Sequence, residues 1–239
     1  MTLPPLLEAR GLVRDFGPHR AVADVDLTLD VGELMALFGP NGAGKSTLLR
    51  LLSGSLRPTE GELHFRGVPF MPGDPRVARQ VGVLSHRSFL YRHLTARENL
   101  RFYGRLYGVV GLEERVARRL ETVGLQARMD HRVATFSRGM VQRLALARTL
   151  LHDPALVVLD EPFTGLDLDA ALRLSRVLTE VRSDQRAVIL VTHDLQRGRE
   201  LATRVGVMSR GRLEVQAPAH SLDGPGLEAL YRRVVEVPS

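Results

Sequence analysis

The chain has 239 residues and a formal net charge of +6, long enough for one large domain with a sizeable core. The absence of cysteine excludes disulfides, thiolate-held zinc and thiol catalysis. No run approaches the roughly 20 apolar residues that span a bilayer. Residues 1–10 also lack the basic start, apolar core and cleavage site of a signal peptide. Basic residues are interleaved with acidic ones, as in Arg118-Arg119-Leu120-Glu121, and Glu114 and Arg118 are spaced for an i,i+4 pair. That pattern describes a solvated helix face better than a nucleic-acid footprint, so no nucleic-acid partner is expected.

In chain order, residues 6–10 and 21–29 alternate apolar and polar side chains as half-buried antiparallel strands do, with Phe16-Gly17-Pro18 turning between them. Residues 34–38 form a buried strand, and residues 46–52 a helix with leucines at helical spacing. A strand is expected at 63–67, a Pro/Gly-rich loop at 69–75 and a short strand at 81–84. From Thr95 to about residue 151 the period becomes helical. Thr95-Ala96-Arg97-Glu98 fits a capping box, and Leu100, Phe102, Tyr103, Leu106 and Tyr107 follow on one broad face. A second helix runs over 112–123, and Ser137 fits the N-cap of a third. After Pro154, strands at 156–159, 187–191, 205–208 and 213–216 alternate with helices at 169–181 and 195–202. A last helix is expected at 227–235.

This order predicts an α/β fold: a parallel sheet flanked by helices, with a helical insertion. We expect a single domain over 1–239. Its core lobe covers about 1–85 and 154–216, its helical subdomain about 86–153, and its tail 217–239.

The densest chemistry lies in Gly39-Pro40-Asn41-Gly42-Ala43-Gly44-Lys45-Ser46-Thr47, a glycine loop between strand and helix of the form GxxxxGK[ST]. Its glycines let backbone N–H groups approach phosphate oxygens, and the positive end of the following helix points at the same place. Lys45 would reach the β- and γ-phosphates and Ser46 would sit on Mg²⁺. Lys45 is the single lysine in a chain with 33 Lys+Arg, and it stands where a compact ammonium suits the task better than a planar guanidinium. The strand at 156–159 leads into Asp160-Glu161. A carboxylate at a strand end beside such a loop holds Mg²⁺, and its neighbour can polarise a water. His193, in Thr192-His193-Asp194, follows the next apolar strand near the same edge.

These motifs resemble the nucleotide-binding subunits of the ATP-binding cassette (ABC) superfamily, a P-loop NTPase core with an N-terminal antiparallel β subdomain and an inserted helical subdomain. Phe136-Ser137-Arg138-Gly139-Met140 stands at the family's signature position, and the resemblance covers roughly residues 6–216. It implies ATP and Mg²⁺ as ligands and a head-to-tail dimer of two copies around two ATP molecules. In the signature Ser137, Arg138 and Gly139, Ser137 and Gly139 would touch the partner's γ-phosphate while Arg138 would either add charge there or face solvent, and Asp167 would lie in the dimer-crossing loop. Glu161 and His193 would be catalytic, and Phe16 would stack on adenine. It also implies integral membrane transporter subunits as partners, on the cytoplasmic face of the inner membrane.

Two motifs depart from the family. Phe136, Arg138 and Met140 replace the first, third and fifth signature residues, and His86 stands where glutamine usually ligates Mg²⁺. Ser85-His86, Glu98-Asn99-Leu100-Arg101-Phe102-Tyr103 and Asp160-Glu161-Pro162-Phe163-Thr164 resemble the haem exporter ATPase of cytochrome c maturation. That resemblance implies ATP-driven export, with drug, lipid or polysaccharide exporters as the alternative and a soluble or regulatory ATPase further off.

Overall fold

The computed structural model describes residues 4–85, 87–183 and 186–235. The N-terminal sheet is antiparallel, in the order β2-β1-β4-β5: β1 Leu7–Phe16, β2 His19–Leu29, β4 Glu60–Phe65 and β5 Val68–Pro69. From Ala23 to Leu29 the β2 residues alternate buried and exposed, so Val25, Leu27 and Leu29 enter the core while Asp24, Asp26 and Thr28 face solvent. Pro69 pairs with His64 at the outer edge of this sheet, where a missing N–H disrupts no further ladder. The expected loop over 69–75 therefore begins as an edge strand and ends in a one-turn helix, α2 Pro75–Ala78. Asp74 caps that turn by accepting the Arg76 N–H.

The second sheet runs β10-β9-β3-β8-β7-β6: β3 Leu34–Phe38, β6 Val81–Leu84, β7 Leu156–Asp160, β8 Ala187–Val191, β9 Arg204–Ser209 and β10 Arg212–Pro218. All pairs are parallel except β9 with the edge strand β10. Every residue of β3 and β8 is buried, as expected of central strands covered on both faces. On one side lie α1 Lys45–Leu52 and the antiparallel sheet, sharing a core with Met35, Leu37 and Ile189. On the other, α6 Leu168–Ser183 places Leu174 and Leu178 against Leu34, Leu159 and Leu190. α7 Leu195–Leu201 and α8 Gly224–Val235 cover β3 and β9, α8 burying Leu227 beside Phe38 and Val205.

The helical block is α3 Ala96–Tyr107, α4 Leu112–Thr122 and α5 Arg138–Thr149. The Thr95–Glu98 capping box forms reciprocally, and Asn99, fully buried, bonds through its side chain to Tyr91 N, Tyr91 O and Thr95 O. The broad apolar face expected on α3 divides. Leu100 is core, whereas Phe102 is 44%, Leu106 69% and Tyr107 37% exposed. α5 is buried on two sides, with Leu144, Ala147 and Leu151 turned to the helical block and Ala145, Leu146 and Leu150 to the sheet.

The arginine-rich α4 is also divided. Arg118 pairs with Glu114 at 2.6 Å in solvent, but Arg115 and Arg119 turn inward onto Asp153. Arg186 reaches the same carboxylate at 2.5 Å from the start of β8, so Asp153 joins the helical block to the sheet. Burial disfavours its charge, yet the three arginines together hold its carboxyl below the ordinary value. Asp153 also sits at φ +55, a conformation that asparagine shares. Asp153→Asn should therefore keep the turn and lower stability by about 1 kcal/mol, a modest figure because the carboxylate is 43% exposed and screened. A carboxyl lowered on folding stabilises fully above its unfolded pKa near 3.8 and loses that contribution as pH falls through the folded value. Urea midpoints of the two proteins should differ at pH 7 and draw together as pH falls below 3.8 and through the lowered folded value.

Candidate functional site

Three chain reversals meet at the carboxyl ends of neighbouring parallel strands. Leu37 of β3 is in register with Val191 of β8, and Val191 with Asp160 of β7. The loops that leave these strands carry Gly39–Lys45, Thr192-His193-Asp194 and Glu161–Asp167, and they are therefore adjacent at one edge.

The glycine loop folds as it does for two different reasons. A Cβ on Gly39 would stand 2.3 Å from Met208 O, and one on Gly44 would stand 2.2 Å from Ala21 O. These two glycines are required by the approach of protein backbone from β9 and β2. Gly42, at φ +80 with open space where a Cβ would be, is required by its conformation alone. At Gly39 and Gly44 the protein's own backbone is thus a reason for glycine beside the phosphate approach expected of all three. Gly44 is the N-cap of α1 and makes no side-chain cap, so the first N–H groups of the helix stay open. Lys45 Nζ donates to Gly39 O at 2.7 Å and Pro40 O at 2.8 Å, drawing the loop around its own ammonium. Burial lowers its pKa, opposed by the charges of Glu161 and Asp160.

These elements enclose an open pocket of about 350 Å³, lined by His19, Ala21, Val191, the run from Asn41 to Thr47, Asp160 and Glu161. Oxygen donors suited to a hard cation, the Ser46 hydroxyl and Asp160 carboxylate, share its wall. Among the described residues no group of three or more His, Cys, Asp or Glu is placed to hold a metal. That donor set fits Mg²⁺ carried in on phosphates, since Mg²⁺ takes one or two protein ligands and keeps waters and substrate oxygens.

Glu161 has φ +51, and its N–H donates to Val191 O at 3.0 Å. His193 Nδ1 lies 2.8 Å from Glu161 Oε2, and Thr164 Oγ1 donates to the same oxygen at 3.4 Å. An ionised carboxylate only accepts, so this contact needs a proton on His193 Nδ1. Asp194 caps α7 by accepting Arg197 N–H at 2.9 Å, which anchors the turn that projects His193.

The remaining expected residues lie apart from this pocket. Ser137 caps α5, accepting Met140 N–H at 3.3 Å, and Asp167 accepts Ala170 N–H at 2.7 Å at the start of α6. Ser137, Arg138 and Gly139 do not line the pocket of their own chain. Phe16 is 41% exposed, with the Arg14 guanidinium 4.6 Å above its ring. His86 lies outside the described residues. Sequence reasoning missed His19, which pairs with Phe16 across the first hairpin and so reaches the pocket rim. The signal available was its position on the strand whose Ala21 carbonyl abuts Gly44.

A larger cavity of about 680 Å³ adjoins the pocket through Ser46 and Asp160, and its other walls include Arg50, Arg87, Phe89, Tyr107 and Arg148. Arg148 Nη2 donates to Val83 O at 2.9 Å, and its guanidinium faces the rings of Phe89 and Tyr103.

Strand, glycine loop and helix, with a carboxylate pair and a histidine at the next two strand ends, define a P-loop nucleotide-binding module. Residues 22–164 match the family described as ABC transporter. The chain is 33% identical to the ABC transporter ATP-binding protein NatA of Bacillus subtilis, over 85% of its length and 84% of that protein. It is 35% identical to a Nod factor export ATP-binding protein I of Cupriavidus metallidurans, over 91% of its length and 72% of that protein. A solved ATP-binding subunit of an ABC transporter superposes with a TM-score of 0.85 at 30% identity, covering 96% of this chain and 99% of that one. The chain belongs to the ABC transporter ATP-binding family and is an ATP-hydrolysing cassette.

Lys45→Arg tests the need for a point charge here. The guanidinium cannot bond both Gly39 O and Pro40 O from one nitrogen while reaching a phosphate, so ATP affinity measured by calorimetry should fall at least about tenfold.

Proposed function

We propose that the chain is the ATP-driven motor of a membrane exporter and works as a head-to-tail dimer of two copies. The 2.8 Å contact of His193 with Glu161, which lines one pocket with Lys45, Ser46 and Asp160, carries this reading. Lys45 and the open N-terminus of α1 bind the phosphates, and Phe16 stacks on the adenine through the face that Arg14 leaves uncovered. Ser46 and Asp160 hold Mg²⁺, which neutralises charge on the phosphate oxygens when bound. Glu161 accepts a proton from the attacking water, and His193 holds Glu161 through Nδ1; its Nε2 serves the terminal phosphate only as a protonated donor. Asp167 lies in the loop that crosses to the partner.

Ser137 and Gly139 serve the partner's γ-phosphate. They do not line the pocket of their own chain, which supports that reading, as does a similar cassette solved as a dimer bound to ADP and Pi, at 25% identity and a TM-score of 0.80. The membrane subunits dock on the face formed by Phe89, Phe102, Leu106 and Tyr107 around the larger cavity. Among the described residues no helix is long and apolar enough to cross a membrane, which fits a subunit that rests on the cytoplasmic face of one.

Named cargoes of similar proteins differ. Nod factor export proteins stand at 35% identity and a sulfate/thiosulfate import protein of Pectobacterium atrosepticum at 34%. Export of haem for cytochrome c assembly rests on the wording at Ser85-His86, 98–103 and 160–164 alone. Identifying the membrane protein that co-purifies with the chain tests it: a partner from a drug, lipid or polysaccharide exporter replaces haem as the cargo.

Glu161→Gln keeps the size of the side chain and removes its basicity. Turnover should fall by about 10²–10³-fold, and the variant should elute as a dimer at saturating Mg-ATP. A variant that stays monomeric there would falsify the sandwich. His86→Gln should retain Mg²⁺-dependent hydrolysis, measured as phosphate release; its loss would give the imidazole a chemical task that an amide cannot perform.

A further inference from the structure

Arg138 begins α5 at a position where the family resemblance expects a small residue, and its side chain points to a defined target. A Cβ built on Gly165 would lie 2.3 Å from Arg138 Nη1, 2.4 Å from Cζ and 2.7 Å from Nε. Three atoms of one planar group at nearly equal distance from one point put the face of the guanidinium over the place where a Gly165 side chain would begin. Gly165 has φ +71, so both its conformation and its missing side chain are needed for this contact.

Gly165 belongs to the turn that carries the catalytic carboxylate. Thr164 N–H donates to Glu161 O at 3.2 Å and Leu166 N–H to Phe163 O at 3.1 Å. Thr164 Oγ1 donates to Glu161 Oε2, the oxygen that His193 holds. The next residue of α5 closes on the same segment: a Cβ on Gly139 would stand 3.0 Å from Ala170 Cβ and 3.8 Å from Leu166 Cδ2. The first turn of α5 therefore covers the 165–170 stretch from one side, with Arg138 as the outer brace.

We propose that Arg138 is a positioning residue whose guanidinium, laid on Gly165, fixes the turn that carries Glu161. It thereby couples the signature end of α5 to the hydrolytic carboxylate of the same chain. The proposal rests on the dimeric reading above, in which the signature serves the partner's nucleotide while Glu161 serves its own. Each chain then links the two composite sites through one side-chain contact. A plane is required for it, and the tetrahedral ammonium of lysine has no such face.

The test is steady-state hydrolysis of Mg-ATP by the full chain carrying Arg138→Lys, Arg138→Gly or Gly165→Asn, the last chosen because asparagine tolerates positive φ. Each variant should lose roughly tenfold in kcat while KM for ATP stays within about twofold. Arg138→Lys and Gly165→Asn combined should lose little more than either alone, because both break one contact. A wild-type rate in Arg138→Lys, a loss expressed in KM, or additive losses would overturn the brace and make Arg138 a charge directed at phosphate. In the Glu161→Gln background, adding Arg138→Lys should leave the ATP concentration for half-maximal dimerisation unchanged, and a tenfold rise would also overturn it. Failure of Glu161→Gln alone to dimerise counts against the dimeric reading, while the kcat comparison still decides the brace.

Discussion

The parallel register of β3, β8 and β7 is the constraint on which the rest of the structure depends. Leu37, Val191 and Asp160 stand side by side, so the chain must leave the sheet three times at one edge, one residue or two beyond each of them. That edge places three groups at or beside the pocket: Lys45 after β3, Glu161 after β7, His193 after β8. The register is held by burial on both faces, since slipping a strand by one residue would move its whole apolar set relative to α1 on one side and α6 on the other. Glu161 N–H bonding to Val191 O carries the same register one step past the end of β7, which is how a residue at φ +51 is kept in place.

α5 brings the helical block to that edge. It is packed on two sides, and each of its ends carries an arginine that contacts the backbone of a loop. Arg138 lies on Gly165 in the turn after Glu161, and Arg148 bonds Val83 O at the end of β6, the strand beside β7. Asp153 adds a third tie through Arg115, Arg119 and Arg186. The helical block therefore touches the sheet through charged and polar contacts at its rim as well as through the shared faces of α5. Its outer surface, with Phe102, Leu106 and Tyr107 exposed around the larger cavity, is left unsatisfied by the chain itself.

Much of this was legible in the residues. β3 and β8 fall at the expected positions because a continuous apolar run bounded by turns has few other solutions. The Thr95 box and the Ser137 cap were readable because capping is decided within four residues. What local pattern missed depended on contacts distant in sequence. Pro69 enters a strand because β5 happens to be an edge, Arg115 and Arg119 turn inward because Asp153 waits more than thirty residues on, and His19 reaches the pocket across a hairpin. Three of the α3 apolar residues keep exposed surface, although Phe102 meets the Tyr91 ring and Tyr107 stacks on His152, because those contacts cover only part of each ring and Leu106 stays 69% exposed.

The sequence by itself determined the chemistry of the site: a phosphate loop with the chain's single lysine, a carboxylate pair at one strand end and a histidine at the next. Residue type and spacing suffice for that, because each motif is local and its reactivity belongs to its own atoms. Only the tertiary structure decided how the motifs meet. It placed His193 on Glu161, made two loop glycines necessary against Met208 and Ala21, and turned Arg138 onto Gly165. Those relations depend on strand order and on backbones approaching within van der Waals distance, and no pattern within one segment encodes either.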